Sequence, residues 1–235
     1  MTLLELRRGA LLRYGLNPYE GEDPVLLRPL MTDLVNEAHR WAAMEARLYR
    51  RTFTTNLGAA SGGFSTVTLD ETVNLVDTGS GAVAWLNGTE WQELDLSSRE
   101  ELTALYGPLE NADAADPHSY YLDTGYTDSA QRTLVVYPGP SAQITNGFKY
   151  PAWVYPADMT AESDRPEFPS SEHDLLLPMI CWKMAQALQS ANREAPVGMW
   201  QGAAAQALLA LRSRQEAHRR GSDLRRIRMV EEDYY

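Results

Sequence analysis

"RPEFPSSEHDLLLPMICWKMAQALQ", residues 165–189, changes character halfway along. Pro166 and Pro169 hold its first half extended, because the pyrrolidine ring fixes φ and removes a donor. The second half places Leu177, Ile180, Met184 and Leu188 at helical spacing. Between them Ser171 and Asp174 form an S-x-x-D pattern, which predicts a helix N-cap with an acid in the first turn. Pro178 then either restarts the helix or kinks it. The same stretch holds His173 between two acids and the chain's single cysteine, Cys181, so a Cys/His active site is the competing reading. On a helix, residues eight apart are separated by ~12 Å along the axis, too far for a direct hydrogen bond. Cys181 also sits in "LLLPMICW", where a thiol behaves as a small buried hydrophobe. The stretch therefore reads as structure: an extended chain turning into a packed helix.

Helical texture extends outward on both sides. After "APVG" comes "GMWQGAAAQALLALRSRQEAHRR", with Trp200, Ala203, Ala207 and Leu211 on one face, which predicts a helix–turn–helix hairpin. At the other end of the chain, Thr2 and Glu5 make a capping-box pattern opening a helix with Leu3, Leu6 and Ala10 along one side. "YGLNPYEGEDP" breaks it. A longer helix follows over 29–51, with Leu30, Leu34, Ala38, Trp41 and Leu48 on its apolar face.

From 52 to 156 the period shortens. "FSTVTL", "TVNLV", "AVAWL", "LVVYP" and "FKYPAWVYP" are short runs rich in Val, Thr and aromatics, separated by Gly, Asn and Asp. "VAWLNGTEWQEL" predicts a hairpin with Asn87-Gly88 at the centre of a type I′ turn. In "SSREELTALYG", Ser98 and Glu101 repeat the capping box and predict a short helix. The expected fold class is α+β: an α-helical bundle with an inserted antiparallel β-sandwich or barrel. The expected segments are N-terminal helices (1–51), the β-domain (52–156), an extended segment with the helical hairpin (157–220) and an extended C-terminal tail (221–235). That tail alternates from Leu224 to Val230, the pattern of a strand that adds to a neighbour's sheet edge.

The charge of −11 is unevenly laid out. Residues 52–178 carry 19 acids against Arg99, Arg132, Lys149 and Arg165, whereas 212–228 carry seven Arg against two acids. An acidic middle repels a nucleic-acid backbone, so specific DNA binding is not expected. One cysteine excludes an internal disulfide and a multi-Cys zinc cluster. No stretch reaches ~18 uncharged apolar residues, and Glu5, Arg7 and Arg8 break the first apolar run, so neither a membrane span nor a cleaved signal is expected.

Motifs that carry chemistry do not assemble. His39, His118, His173 and His218 are never at i, i+4 on one helix. "ASGGFS" is neither G-x-S-x-G nor a P-loop, and "TGSG" reads as a turn between strands. No catalytic, metal or cofactor site is expected.

Two stretches carry a resemblance. "HSYYLDTGYTDSAQRTLVVYPGP" (118–140) resembles the strand pair ending in a Tyr-Pro-x-Pro-like turn of head-to-tail adaptor proteins of short-tailed phages. "YPADMTAESDRPEFPSSEHDLLLPMICWKMA" (155–185) resembles that family's next stretch: an extended D-x-P-x-x-P segment, a His near the helix start and an apolar helix. The order of helices, β insertion, hairpin and tail is similar too, although "LLLPMICW" stands where small residues are usual. The resemblance implies a structural virion protein rather than an enzyme. It would form a ring of 12 copies in the neck between capsid and tail, made in the host cytoplasm. Its partners would be the portal protein above, a tail nozzle or tail fibre protein below, and further copies of itself. Genomic DNA would pass through the channel without specific binding, past acidic walls that repel it. From the tail's position and chemistry, Arg225, Arg226, Ile227, Arg228, Tyr234 and Tyr235 are the expected portal-docking residues. Two other classes compete: a cell-wall glycoside hydrolase using a carboxylate pair, and a carbohydrate-binding module presenting Trp85, Trp91 and Trp153.

Overall fold

Thr2 Oγ1 accepts from the Glu5 N–H at 3.3 Å while Glu5 Oε2 accepts from the Thr2 N–H at 2.7 Å, so the capping box closes and starts α1, Leu3–Arg13. The computed structural model describes residues 1–16, 27–78, 83–123, 132–191 and 193–232, with backbone only for 27–29 and 218–232. The expected break at 14–24 and the "TGSG" turn fall largely outside these residues, as do Tyr234 and Tyr235. The remaining elements are α2 (Leu27–Ala46), β1 (Arg50–Leu57), β2 (Ser65–Thr68), β3 (Val73–Val76), β4 (Ala84–Asn87), β5 (Glu90–Glu93), β6 (Asp95–Leu96) and α3 (Arg99–Tyr106), followed by β7 (Ser119–Asp123), β8 (Thr133–Tyr137), β9 (Ile144–Val154), α4 (Leu176–Ser190) and α5 (Val197–Glu232). The fold is mixed α+β, in two compact units: Met1–Tyr49 with Tyr155–Tyr235, and Arg50–Val154.

In the first unit α4 is the central helix. Leu176, Leu177, Met179, Ile180, Cys181 and Met184 are buried on nearly all its sides, against Leu3 and Leu6 of α1, Met31, Val35 and Ala38 of α2, and Ala204, Leu208 and Leu211 of α5. A helix apolar nearly all round is one surrounded by other helices. The buried stripe of α2 runs through Met31, Val35, Ala38, Ala42 and Ala46, and Leu30 of the expected face is 41% exposed. The expected helix to residue 51 is also corrected. Arg47 takes φ 51°, its N–H reaches Met44 O at 3.3 Å, and Leu48 N–H reaches Ala43 O at 3.0 Å. These are the two bonds of a Schellman stop. No glycine marks it, so periodicity alone runs past it. From α5, Arg212 Nε donates to Glu45 O at 2.8 Å, satisfying one of the orphan carbonyls at this end of α2.

The S-x-x-D cap expected at Ser171 does not form. Ser170–Leu175 is a 3-10 segment without a side-chain cap, α4 starts only at Leu176, and Glu172 and His173 are buried inside the unit. Pro178 lies in the first turn of α4, where its missing N–H costs nothing.

In the second unit β9 is the spine of a five-stranded antiparallel sheet, ordered β1-β9-β4-β5 with β3 beside β4 on the same flank of β9. A second sheet, β2-β8-β7-β6, is antiparallel except that β6 runs parallel to β7, which corrects the purely antiparallel expectation. The hairpin turn is shifted by one residue from the expected one. Asn87 pairs with Glu90, so Gly88-Thr89 is the centre, and only Gly88 takes positive φ (64°), a type II′ pattern. Ser98 and Glu101 close the expected capping box on α3, at 3.1 and 2.8 Å. In "ASGGFS" Gly63 serves packing: a Cβ there would lie 2.1 Å from Leu109 O.

Candidate functional site

Three features of the described residues carry more than packing. The first is the strap from 155 to 169, which α2 holds by amide chemistry. Asn36 Nδ2 donates to Met159 O and Asn36 Oδ1 accepts from Met159 N–H, both at 3.0 Å, so a buried side chain pairs as a strand would. Arg40 Nη1 donates to both oxygens of Asp158, at 2.7 and 3.0 Å. Farther along, Asp164 O and Glu162 O accept from Leu3 and Leu4 N–H, at 2.7 and 3.2 Å, supplying partners to orphan donors at the start of α1. Phe168 sits between two histidine rings, 5.8 Å from His39 and 5.1 Å from His173. His39 Nε2 is 2.6 Å from Tyr49 Oη, and His173 Nε2 donates to Phe168 O at 2.8 Å. Burial pushes the imidazolium of His39 down to about 4, and nearby His173 adds to this; burial raises Tyr49 above the usual phenol range. His173 is thus a structural tie between strap and helix. Cys181 lies fully buried, its Sγ 3.6 Å from Ala10 O and its thiol pushed up to about 12 by burial, so it is no nucleophile at neutral pH.

The second feature is α5. Its 36 residues carry Gln215, whose Nε2 donates to buried Glu172 at 3.1 Å, and the backbone stays helical from there to Glu232. Arg225, Arg226, Ile227 and Arg228 therefore stand on a helix, which corrects the extended tail expected from Gly221. One glycine costs a helix only about 1 kcal/mol relative to Ala, and the Leu, Arg, Ile and Met that follow are good to fair helix formers.

The third is the five-stranded sheet. Trp91 is 38% exposed with Lys149 Nζ 4.6 Å from its ring centre, while Trp85 and Trp153 are buried. The three tryptophans therefore do not make one exposed sugar-stacking platform. All four residues of β5 are exposed, as are Arg50, Arg51 and Thr52 of β1. Sequence reading missed these edges, although "EWQE" shows the signal: a strand with no apolar alternation has no face to bury.

Among the described residues no three His, Cys, Asp or Glu side chains converge as a metal site would require, and no helix is long and apolar enough to cross a membrane. A hollow of about 710 Å3 between α3 and β7 is lined by Leu96, Arg99, Glu101, Tyr121 and Asp123 and stands open to solvent. Long amphipathic helices, open strand edges and a basic helix end are the equipment of a structural assembly protein. The family comparison makes this particular: the model of the SU10 adaptor protein family matches residues 1–227, so the chain belongs to that family of phage head-to-tail adaptors. No curated protein matches it. The stretch that resembled an adaptor strand pair is β7 and β8, antiparallel, ending in Tyr137-Pro138-Gly139-Pro140.

Proposed function

We propose that the protein is the neck ring joining a filled phage head to its tail, with the helical end of α5 docking on the portal. Membership of the adaptor family over 1–227 carries this reading. α5 supports it: beyond Gln215 the helix runs 17 residues to Glu232, about 26 Å at 1.5 Å per residue, and this length holds Arg219, Arg220, Arg225, Arg226 and Arg228. A helix with dense arginine suits a groove lined by carboxylates, where the guanidinium fork binds two oxygens at once. Arg225, Arg226, Ile227 and Arg228 are the docking residues in this reading, with Tyr234 and Tyr235 beyond them as aromatic anchors. The ring has 12 copies, binds a nozzle or fibre protein below, and passes genomic DNA along a wall lined by the acids of 52–178.

The test is co-sedimentation of the full chain with its portal ring. Triple replacement of Arg225, Arg226 and Arg228 by Glu abolishes binding in this reading and leaves helicity unchanged. Undiminished binding of that variant removes the docking role from this segment. Replacing acids of the β unit by Asn or Gln slows genome ejection if they line the channel, and an unchanged rate removes them from it.

A further inference from the structure

We propose that neighbouring copies in the ring are joined edge to edge through the five-stranded sheet, β5 of one copy pairing antiparallel with β1 of the next. This rests on the ring reading above and names the contact that closes it.

The backbone pattern selects the two edges. A two-residue hairpin loop closes on a hydrogen-bonded pair, so Asn87 and Glu90 exchange bonds, and so do Trp85 and Gln92. Leu94 N–H donates to Val83 O at 2.8 Å and continues the alternation. Trp91 and Glu93 are therefore the non-bonded pairs with β4, and their N–H and C=O groups point to the open edge. On the far side, Asp77 N–H donates to Pro151 O at 2.9 Å, so residue 151 turns toward the β3 flank, and 149 and 153 with it. Their partners in β1, Thr52, Thr54 and Arg50, then turn their backbone groups away from β9. Among the described residues no backbone bond from these five positions to another segment is present. Two open edges on one sheet template further pairing unless they are filled.

Direction and charge select each edge as the other's partner. The path β1-β9-β4-β5 holds four strands, each antiparallel to the next, so β1 and β5 run oppositely. A copy carried round a ring keeps its orientation, and its β1 then meets the preceding β5 antiparallel, with the alternation unbroken. Keeping the outer face continuous sets Trp91 and Glu93 against even-numbered residues of β1, because Glu93, Ala84, Lys149 and Thr54 share one row. Of the registers that use all of β5, charge selects the one that pairs Glu93 with Arg50, Gln92 with Arg51, Trp91 with Thr52 and Glu90 with Phe53. It sets Glu93 against Arg50 and Glu90 diagonal to Arg51, acid against base on both faces. Arg50 already holds Asp77 through Nε at 2.8 Å, but a guanidinium has five donors and can bridge two carboxylates. The competing occupant, this chain's own C-terminal segment, is helical to Glu232 and supplies no strand.

The test is a double cysteine variant, Thr52→Cys with Trp91→Cys, in the full chain assembled on its portal ring. Both sites are exposed, and native Cys181 is buried away from solvent. Oxidation is expected to give a ladder of covalently linked copies on denaturing gels, absent from either single variant. Rings seen by electron microscopy without a ladder overturn the junction and leave the ring standing. Linked dimers from Trp91→Cys alone mean β5 pairs with β5, which also overturns it. Failure to form rings with the unmodified chain overturns both readings. A second measurement needs no substitution: amide exchange at Arg50, Thr52, Trp91 and Glu93 is expected to slow about ten-fold or more on ring formation. Unchanged exchange at all four in assembled rings sinks the proposal.

Discussion

The helical unit and the β unit reach burial by different routes. The helical unit is drawn from two stretches far apart in the chain, and its apolar helices are tied by a few buried polar pairs: Asn36 with Met159, His39 with Tyr49, His173 with Phe168. Helix faces fit one another in more than one rotation, so specific hydrogen bonds single out one of them. The β unit is one unbroken stretch, Arg50–Val154, with Phe148 and Tyr150 of its central strand buried, all of β5 exposed and β1 exposed at Arg50, Arg51 and Thr52. There backbone ladders set the register, and side chains fill in behind. Polar specificity thus lies inside the helical unit and along the edges of the β unit.

The sharpest way to break the comparison is to empty each core in turn. Phe148→Ala removes a fully buried ring from β9 and is expected to cost about 3–5 kcal/mol; Met184→Ala at the centre of the helical unit is expected to cost about 2–5 kcal/mol. Amide exchange then locates the damage, in 50–154 for the first and in the helices for the second. Damage spread evenly over both units would erase the distinction.

Acid comes next. His39 is neutral in the fold, with its pKa depressed from 6.5 to about 4, so the unfolded chain binds the extra proton between those values. Stability is full above pH 6.5 and falls toward pH 4, by roughly 3 kcal/mol from this group. Urea midpoints across that window test it, and His39→Gln is expected to flatten the slope.

Asn36→Ala strips both bonds from Met159 in a buried setting, with an expected loss of about 1–3 kcal/mol and faster exchange at the Met159 amide. Thr2→Ala and Ser98→Ala remove one capping box from each unit and are expected to cost about 1 kcal/mol each in urea melts. Arg40→Ala breaks an exposed ion pair with Asp158 and is expected to cost under about 1 kcal/mol, less still in high salt.

Local rules made several parts legible. Both capping boxes form because each needs only residues three apart. Cys181 is buried because an apolar run around a thiol leaves it no water. The helices and most strands follow their periods. In two of the misses a distant partner overrode a local preference. Ser171 and Asp174 have the residues for a cap, but His173 and Glu172 are buried instead, and a 3-10 segment results. α2 stops on an arginine in a left-handed conformation, while Arg212 from α5 takes one of its last carbonyls. The candidate site divides in the same way. The basic residues at 225–228 were visible as composition, yet the helix that carries them was not, because Gly221 was read as a stop.

Sequence by itself determined the α+β class, the place where helix gives way to strand, the caps, the burial of Cys181 and the resemblance to phage adaptors. These depend on period, spacing and residue chemistry, which are local. Only the tertiary structure decided which face of α2 is buried, that His173 is a strap tie, that the hairpin turns on Gly88-Thr89, and that β1 and β5 are open edges of opposite direction. Those facts depend on what lies across the fold, and no window along the chain contains it.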